Sequence, residues 1–325
     1  MGDIIAIYDC DDEDMLNLLE VIEKEADVKS IKLNEAESSI NVFESLNHLS
    51  IEQGEIEIRQ QDFQSASLVI YRRWRMQETP FFKCTHLDGY ERRFAEREWS
   101  SFMSGVLAKQ EFLMSGQVTW MNPPSKSGIS KNKYFLLAVA KELDLLTPPF
   151  FCSNNFVGFK RVRGSEFVAK SISSDEQIHD DLYYRTAKLS LQQVEDILEY
   201  RNACPTFLQN RLSVGIEVRT YYCLGDLFSV RISFDKPYED IRFVDVDRID
   251  VQPEDIPSSV AKKIKNLCKA VGLNFCTLDF IVQDNEYWLV DVTANGSWGT
   301  YDRKCEEWLS KKIISAILNH GLDSY

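Results

Sequence analysis

The chain has 325 residues and a mass of 37.6 kDa, and 44% of its residues are hydrophobic and 27% charged. This apolar share is typical of a globular protein and excludes a disordered chain. Asp and Glu outnumber Lys and Arg by 51 to 37, which gives a formal net charge of -14. Such an acidic surface repels phosphate groups, so we expect neither nucleic acid nor a membrane as a partner.

The sequence also bears on the compartment in which we expect the protein to lie. No segment has the ~18 uncharged apolar residues that a membrane span needs, and the N-terminal residues do not resemble a signal peptide. The eight cysteines stand singly, without a CxxC pair, which disfavours a zinc site or a disulfide framework. We therefore expect a cytoplasmic protein.

The first third of the chain predicts a parallel sheet. A strand, a helix and a second strand follow one another within the first 33 residues, which is the order of a right-handed βαβ unit. Apolar periodicity and flanking residues predict strands at 3–9, 28–33, 56–59 and 67–71, and helices at about 15–26 and 90–111.

The rest of the chain predicts a mixture of strands and helices. A loop that contains Asn122-Pro123-Pro124 leads into an amphipathic helix. The fold class is therefore α/β, with α+β character in parts. The predicted helices lie at 134–145, 190–201, 255–272 and 306–319, and the predicted strands at 167–170, 206–209, 217–224, 227–233, 275–282 and 286–292.

Two aspartates in neighbouring apolar strands form the first candidate site. Asp279 lies in one strand and Asp291 in the next, and Thr293 shares a strand face with Asp291 because it lies two residues further on. Buried carboxylates are costly unless they are paired or bind a metal, so a site for a hard cation is one interpretation. The spacing leaves open that both aspartates only accept backbone hydrogen bonds.

Basic residues form a second candidate site. Lys133 precedes a predicted helix, Lys170 ends an apolar strand, and Arg219 shares a strand face with Glu217. Two lysines and an arginine together with paired carboxylates match the needs of a triphosphate and Mg²⁺, although each lysine taken alone also fits an ordinary surface position. The sequence has neither GxxxxGK[ST] nor a GxGxxG after the first strand, which disfavours a P-loop NTPase and a dinucleotide dehydrogenase.

From about residue 120 onward the chain resembles the ATP-grasp ligases. The similar segments are Asn122-Pro123-Pro124 with the helix after it, Phe167-Val168-Ala169-Lys170, and the hinge-like segment that runs from Pro205 to Leu212. The resemblance implies an ATP-grasp fold with an N-terminal Rossmann-like pre-ATP-grasp domain. The implied domains are residues 1–118, a central subdomain at 119–208 and a C-terminal subdomain at 209–325.

This resemblance assigns roles to single residues and implies ATP and Mg²⁺ as cofactors. It implies catalytic roles for Arg219, which faces the terminal phosphate, and for Lys170. It further implies that Lys133 and Lys170 bind phosphates, that Gln209, Asn210 and Leu212 meet the adenine, that Glu217 binds the ribose, and that Asp279, Asp291 and Thr293 bind metal. Asp291 stands where the family has glutamate and Thr293 where it has asparagine, which weakens the predicted second metal site.

Within the family, the chain looks most like the graspetide synthetases, the microviridin-type peptide macrocyclases. The similar segments are Ser67 to Trp74, Asp240-Ile241-Arg242 and Asn295-Gly296-Ser297-Trp298. The resemblance implies a ligase that activates Asp or Glu side chains of a ribosomally made precursor peptide as acyl phosphates and closes ester or amide macrocycles. We expect a homodimer, and the residues predicted to bind the peptide are Arg72, Arg73, Arg242 and Asn295.

Two other functions fit the same residues. The first is a ligase that adds free amino acids to a protein or a small acceptor. The second is a nucleotide-binding protein whose metal site has decayed through Asp291 and Thr293.

Overall fold

The computed structural model describes most of the chain, and two of the predicted peptide-binding residues lie outside the described part. Those two are Arg73 and Arg242, and most of the predicted helix at 190–201 also lies outside. The described residues are 3–33, 40–45, 48–72, 88–126, 128–153, 166–172, 177–179, 182–183, 187–190, 192–194, 205–212, 216–234 and 248–322.

The described residues contain more strands than helices. The helices are α1 (Glu13–Ile22), α2 (Gln60–Ser65), α3 (Gly89–Leu113), α4 (Lys133–Glu142), α5 (Ser258–Val271), α6 (Gly299–Asp302) and α7 (Trp308–Leu322). The strands are β1 (Asp3–Asp9), β2 (Val28–Leu33), β3 (Ile40–Ser45), β4 (His48–Gln53), β5 (Ile56–Arg59), β6 (Ala66–Arg72), β7 (Thr119–Met121), β8 (Phe150–Ser153), β9 (Glu166–Lys170), β10 (Gln177–His179), β11 (Leu182–Tyr183), β12 (Ala187–Ser190), β13 (Thr206–Asn210), β14 (Ile216–Cys223), β15 (Asp226–Phe234), β16 (Ile249–Glu254), β17 (Phe275–Gln283) and β18 (Glu286–Thr293).

The N-terminal part is built on a parallel sheet in the order β2-β1-β6-β7. Helix α1 connects β1 to β2, which confirms the predicted βαβ unit. The helix begins at Asp12, whose carboxylate accepts a hydrogen bond from the backbone N–H of Met15 at 3.2 Å. Its buried face packs against α7 and the C-terminal strands, so this helix joins the two ends of the chain.

A second, antiparallel sheet of β3, β4 and β5 packs beside the parallel sheet. Of its three strands, the sequence predicted only β5. Half of the side chains of β3 are exposed, so the strand lacks the continuous apolar run that marks a buried strand.

Two larger antiparallel sheets and the two-stranded antiparallel pair β10-β11 contain the other strands of the described residues. The central sheet has the order β12-β9-β13-β8, and the C-terminal sheet has the order β16-β15-β14-β17-β18. Helices α4 and α5 pack against one face of the C-terminal sheet, and part of the other face packs against α7. The remaining part of that second face carries the candidate site.

The hairpin predicted near the C-terminus is confirmed. Strands β17 and β18 pair through Gln283 and Glu286, so the turn between them contains only Asp284 and Asn285. Both turn residues have positive φ, 50° and 63°. Asp and Asn tolerate this backbone conformation better than most residues, and a two-residue turn of this kind matches the twist of the strands that flank it.

The sheets divide the chain near the predicted domain boundaries. Strand β7 pairs with β6, so the N-terminal sheet continues to Met121, past the predicted boundary at residue 118. The central sheet ends with β13 at Asn210, just beyond the predicted boundary at residue 208. The division into three domains stays a prediction.

The amide side chain of Asn122 joins the loop after β7 to the C-terminal sheet. It donates to the backbone carbonyls of Phe275 and Ala294 and accepts from the backbone N–H groups of Asn274 and Phe275, at distances between 2.7 and 3.2 Å. One buried side chain therefore fixes the beginning of β17 against the residue that follows β18. The Asn-Pro-Pro motif holds the sheet that carries the site.

A buried ion-pair cluster forms the second connection between the N-terminal part and the C-terminal part. Arg72 donates to Asp12 at 2.9 Å and to the carbonyl of Gly296 at 3.1 Å, and it lies 3.5 Å from Asp14. Its guanidinium also lies 4.5 Å from the ring centre of Trp298. The side chains of Arg72 and Asp12 are each 1% exposed.

This arrangement corrects the prediction that Arg72 binds a peptide. A side chain that is fully enclosed and paired inside the protein has no surface to offer a peptide. Arg72 joins parts of the fold instead.

Among the described residues, no helix is both long enough and apolar enough to cross a membrane.

Candidate active site

The candidate site lies on one face of the C-terminal sheet, where three strands bring charged residues side by side. Arg219 on β14 lies opposite Asp279 on β17, which lies opposite Asp291 on β18. Directly paired residues of neighbouring strands point to the same face of a sheet. The register therefore places two of the three predicted metal ligands in one row with Arg219, one of the two predicted catalytic residues.

Arg219 and Asp279 form a bidentate ion pair. The Nε and Nη2 atoms of Arg219 donate to the two carboxylate oxygens of Asp279 at 2.6 and 2.8 Å. Burial by itself lowers the pKa of Arg219, but the negative charge of Asp279 outweighs burial and raises this pKa well above its ordinary value. Arg219 thus remains a cation throughout the physiological pH range.

Lys133 and Lys170 approach the same row from two other elements. The ammonium of Lys133, at the first residue of α4, lies 3.1 Å from Asp291, and that of Lys170, at the end of β9, donates to the carbonyl of Val290 at 2.6 Å. The backbone N–H of Lys133 also donates to the carbonyl of Ile172, just after β9. This bond keeps the two lysines close to each other.

An irregularity in β18 turns a backbone carbonyl toward Lys170. Asp279 pairs with Asp291, whereas the next residue, Phe280, pairs with Leu289, so Val290 is an extra residue in β18. Such a bulge re-aims the backbone locally, often beside functional sites. Here it presents the Val290 carbonyl to the ammonium of Lys170.

The charges of this cluster perturb one another. Burial lowers the pKa of Lys170, and Asp291 opposes this effect while the neighbouring Lys133 adds to it. Burial alone raises the pKa of Asp291, but Lys133 and Lys170 outweigh it and hold the pKa below its ordinary value. Asp291 is therefore an anion at neutral pH, as a metal ligand must be.

The predicted nucleotide-binding residues lie on and beside β13 and β14. Gln209 and Asn210 are the last two residues of β13. This strand pairs with β9, and Phe207 of β13 lies opposite Lys170 of β9. Glu217 lies two residues before Arg219 on β14. Its negative charge opposes the effect of burial, which lowers the pKa of Lys170. Leu212 follows β13 and is half-buried. The structure thus places the predicted hinge next to the strand that carries Lys170, the lysine predicted to bind phosphate.

The residues after Asp291 are packed tightly. Thr293 lies opposite Thr277, and the carbonyl of Thr293 accepts a hydrogen bond from the Thr277 hydroxyl. A Cβ on Gly296 would lie 2.1 Å from that hydroxyl oxygen, so only glycine fits there. Asn295, between them, is half-buried.

The residues of this site fit a nucleoside triphosphate with Mg²⁺. Mg²⁺ in nucleotide sites takes one or two carboxylates, and phosphates and waters complete its shell. Asp279 and Asp291 supply two carboxylates, and among the described residues no larger group of metal-binding side chains occurs. In the hinge, Gln209 is 2% exposed, and its amide nitrogen finds no hydrogen-bond partner within the described part of the chain. That buried donor is suited to an acceptor atom of a ligand.

Comparisons with solved structures identify the fold. The macrocyclase MdnC of Microcystis aeruginosa MRC, solved with its precursor peptide MdnA, superposes with a TM-score of 0.79 and 21% identity over 98% of this chain and 100% of that chain. A Chryseobacterium gregarium RiPP-associated ATP-grasp ligase, solved with ADP and a leader and core peptide, gives 0.77 and 20% identity over 98% and 97%. The chain has the ATP-grasp fold. This likeness extends to a Bacillus anthracis D-alanine–D-alanine ligase, with a TM-score of 0.57 and 12% identity over 99% and 98% of the two chains.

The sequence itself is less informative in such comparisons. No protein-family model matches it, and no curated protein does. The fold is therefore recognised through the arrangement of its strands and helices.

Two tyrosines of the site were not predicted from the sequence. The guanidinium carbon of Arg219 lies 4.9 Å from the ring centre of Tyr301, and the hydroxyl of Tyr221 donates to the carbonyl of Ser297. Tyr221 shares a strand face with Arg219, so the period of two along β14 is a signal that could have placed it near the site. Tyr301 lies far along the chain and gives no such signal.

We expect Lys170→Ala to weaken the binding of an ATP analogue by about 1–3 kcal/mol, because the substitution removes a charged hydrogen-bond donor that we predict to meet phosphate. Isothermal titration calorimetry measures the loss. Lys141→Ala is the control, since Lys141 is an exposed lysine on the same helix as Lys133. An unchanged affinity of Lys170→Ala would remove this residue from the nucleotide site.

Proposed function

We propose that the protein is an ATP-dependent, ADP-forming ligase that closes ester or amide macrocycles in a ribosomally made precursor peptide. The convergence of Arg219, Lys133 and Lys170 on a pair of aspartates carries the proposal. The fold of this chain superposes on that of MdnC over nearly the whole length of both chains, and MdnC was solved with a precursor peptide.

The proposed chemistry has two steps. A side-chain carboxylate of the peptide takes the terminal phosphoryl group of ATP, which gives an acyl phosphate and ADP. A hydroxyl or amine of the same peptide then displaces phosphate, which leaves the ester or amide. The enzyme supplies position and charge rather than a covalent nucleophile.

The residues of the site take separate parts in this chemistry. Arg219 and Lys170 offset the negative charge that gathers when carboxylate and phosphate approach each other, and Lys133 binds phosphate beside them. Glu217 holds the ribose hydroxyls, and the hinge residues hold the adenine. Asp279 and Asp291 would hold Mg²⁺, which would neutralise phosphate charge there. These roles are proposals that follow from the resemblance to the ATP-grasp ligases.

The mass of the peptide tests this function directly. The substrate to test is a short precursor peptide rich in Thr, Ser, Asp and Glu, to be sought in the reading frames beside the gene. Incubation with ATP and Mg²⁺ should lower its mass by one water for each ring closed, because condensation within one chain removes the atoms of water. A gain in mass that equals an added amino acid would refute ring closure.

The second candidate function is addition of free amino acids. The likeness to a D-alanine–D-alanine ligase favours it, since that enzyme has a similar fold and its name describes the joining of two amino acids. That likeness is weaker than the one to MdnC, with a TM-score of 0.57 against 0.79. The sign of the change in peptide mass separates these two ligase functions. Nucleotide binding without any turnover would instead indicate the third alternative, a nucleotide-binding protein with a decayed metal site.

We expect Thr293→Asn to preserve turnover and to lower the Mg²⁺ concentration that gives half-maximal turnover by about threefold, since an amide oxygen is a better ligand for a hard cation than a hydroxyl. ADP release measured across a Mg²⁺ titration checks this. The same variant at saturating Mg²⁺ is the control and should match the unmodified protein. A large loss of turnover would show that Asp291 and Thr293 function only as a pair.

Two further parts of the proposal concern the assembly and the compartment. Light scattering on the purified protein measures the mass of the particle in solution and so tests the proposed homodimer. Location in the cytoplasm is measurable by fractionation of the cells that make it. Asn295 stays a proposed peptide contact.

A further inference from the structure

We propose that Tyr301 is a positioning residue that holds the guanidinium of Arg219 in the orientation in which it meets the terminal phosphate. This inference rests on the proposed function and extends it to a residue outside the row of charges. Tyr301 lies on the short helix α6, and its side chain is almost fully buried. The centre of its ring lies 4.9 Å from the guanidinium carbon of Arg219.

Asp279 and Tyr301 restrict different motions of Arg219. The two parallel hydrogen bonds to Asp279 fix the direction of the guanidinium fork within its own plane. They do not prevent the plane from tilting about the line of the ion pair. A ring that packs against the cation opposes this tilt through the attraction between a cation and an aromatic face. With both contacts in place, the remaining N–H groups of Arg219 point in one defined direction.

Tyr301 is itself held by the N-terminal part of the protein. Its backbone N–H donates to the carbonyl of Trp298 at 3.0 Å. The backbone N–H groups of Trp298 and Gly299 donate to the carboxylate of Asp14 at 3.0 and 2.9 Å, and the Ser297 hydroxyl donates to it at 2.7 Å. Asp14 therefore fixes the turn from which the tyrosine ring extends toward Arg219.

The fit around this turn is close. A Cβ on Gly299 would lie 2.5 Å from a carboxylate oxygen of Asp14, which only the absence of a side chain permits. On the other side, the hydroxyl of Tyr221 donates to the carbonyl of Ser297 at 3.1 Å. The turn is thus fixed both by α1 and by β14, the strand that carries Arg219.

The test compares two substitutions of Tyr301 by the affinities for AMPPNP and ADP, each measured by calorimetry with Mg²⁺. Tyr301→Phe keeps the ring and loses the hydroxyl, whereas Tyr301→Leu loses the ring. We expect Tyr301→Leu to weaken AMPPNP binding about tenfold and to leave ADP binding unchanged, because only AMPPNP carries the terminal phosphate. Tyr301→Phe should stay within about twofold of the unmodified protein for both nucleotides.

Tyr90→Leu is the matched control. The guanidinium carbon of Arg93 lies 4.8 Å from the ring centre of Tyr90, which is nearly the geometry of the Tyr301 pair, on an exposed part of α3. This variant should bind both nucleotides normally. ADP binding by Tyr301→Leu serves as the check that the variant is folded.

Different results would overturn the inference and the proposed function. If Arg219→Ala weakens AMPPNP binding and leaves ADP binding unchanged while Tyr301→Leu changes neither affinity, the role of Tyr301 is refuted and the site stands. An equal loss for both nucleotides in Tyr301→Leu also refutes a role in positioning. If the unmodified protein binds neither nucleotide, the proposed function fails, and the role of Tyr301 fails with it.

Discussion

Arg219→Ala should reduce ring closure by at least about 10²- to 10³-fold, the loss expected when one group that stabilises developing charge is removed. Arg219 lies at one end of the row of charges, beside Asp279, which holds its fork at 2.6 and 2.8 Å. Removing it takes away one of the cations that we propose to offset the charge of the two approaching anions. Mass spectrometry of the precursor over time measures the rate.

Two further variants sharpen this experiment. Arg219→Lys keeps the positive charge but loses the planar fork, so it should recover only part of the lost rate. Arg231→Ala removes an arginine that also forms a bidentate pair, with Glu254, on the neighbouring strand β15, and it should close rings at the normal rate. Normal ring closure by Arg219→Ala would contradict the proposed mechanism.

Arg72→Leu should destabilise the protein by about 3–5 kcal/mol, because it leaves buried carboxylates without their cation. Arg72 and Asp12 are each 1% exposed, so water cannot solvate the aspartate that loses its partner. Equilibrium unfolding in urea measures the change in the free energy of unfolding. The effect should extend to both parts of the chain, since Arg72 also holds Gly296.

Arg231→Leu is again the control. The ion pair of Arg231 and Glu254 has equally good geometry, but the arginine side chain is 42% exposed. Exposed pairs contribute about 0–1 kcal/mol, so this variant should unfold almost as the unmodified protein does. Equal destabilisation by both substitutions would show that burial does not set the strength of the Arg72 cluster.

The sequence placed Asp279 and Asp291 in neighbouring predicted strands and Arg219 in a third, and the resemblance to the ATP-grasp ligases implied that the three converge. The strand register brings them together on one face of the sheet. The bulge at Val290 was not predictable, since an extra residue in a strand leaves no mark in a short apolar run.

The interpretation of Arg72 failed for a related reason. An arginine at the end of a strand suggests a surface contact, and nothing in the local sequence indicates that it is buried. Its partners are distant in the chain: Asp12 and Asp14 at the start of the crossover helix, and Gly296 near the other end. Burial of a charge depends on such long-range contacts, which periodicity does not report.

The cluster around Arg72 also limits how far this fold can be treated as modular. Asp14 and Arg72 come from the N-terminal part, whereas the backbone atoms of Gly296, Trp298 and Gly299 that they bind belong to the C-terminal part. An exchange of N-terminal domains between two such proteins would transfer only half of this set. A chimaera should keep the arrangement of Tyr301 and Arg219 only if the donor domain supplies an aspartate and an arginine at the same two places.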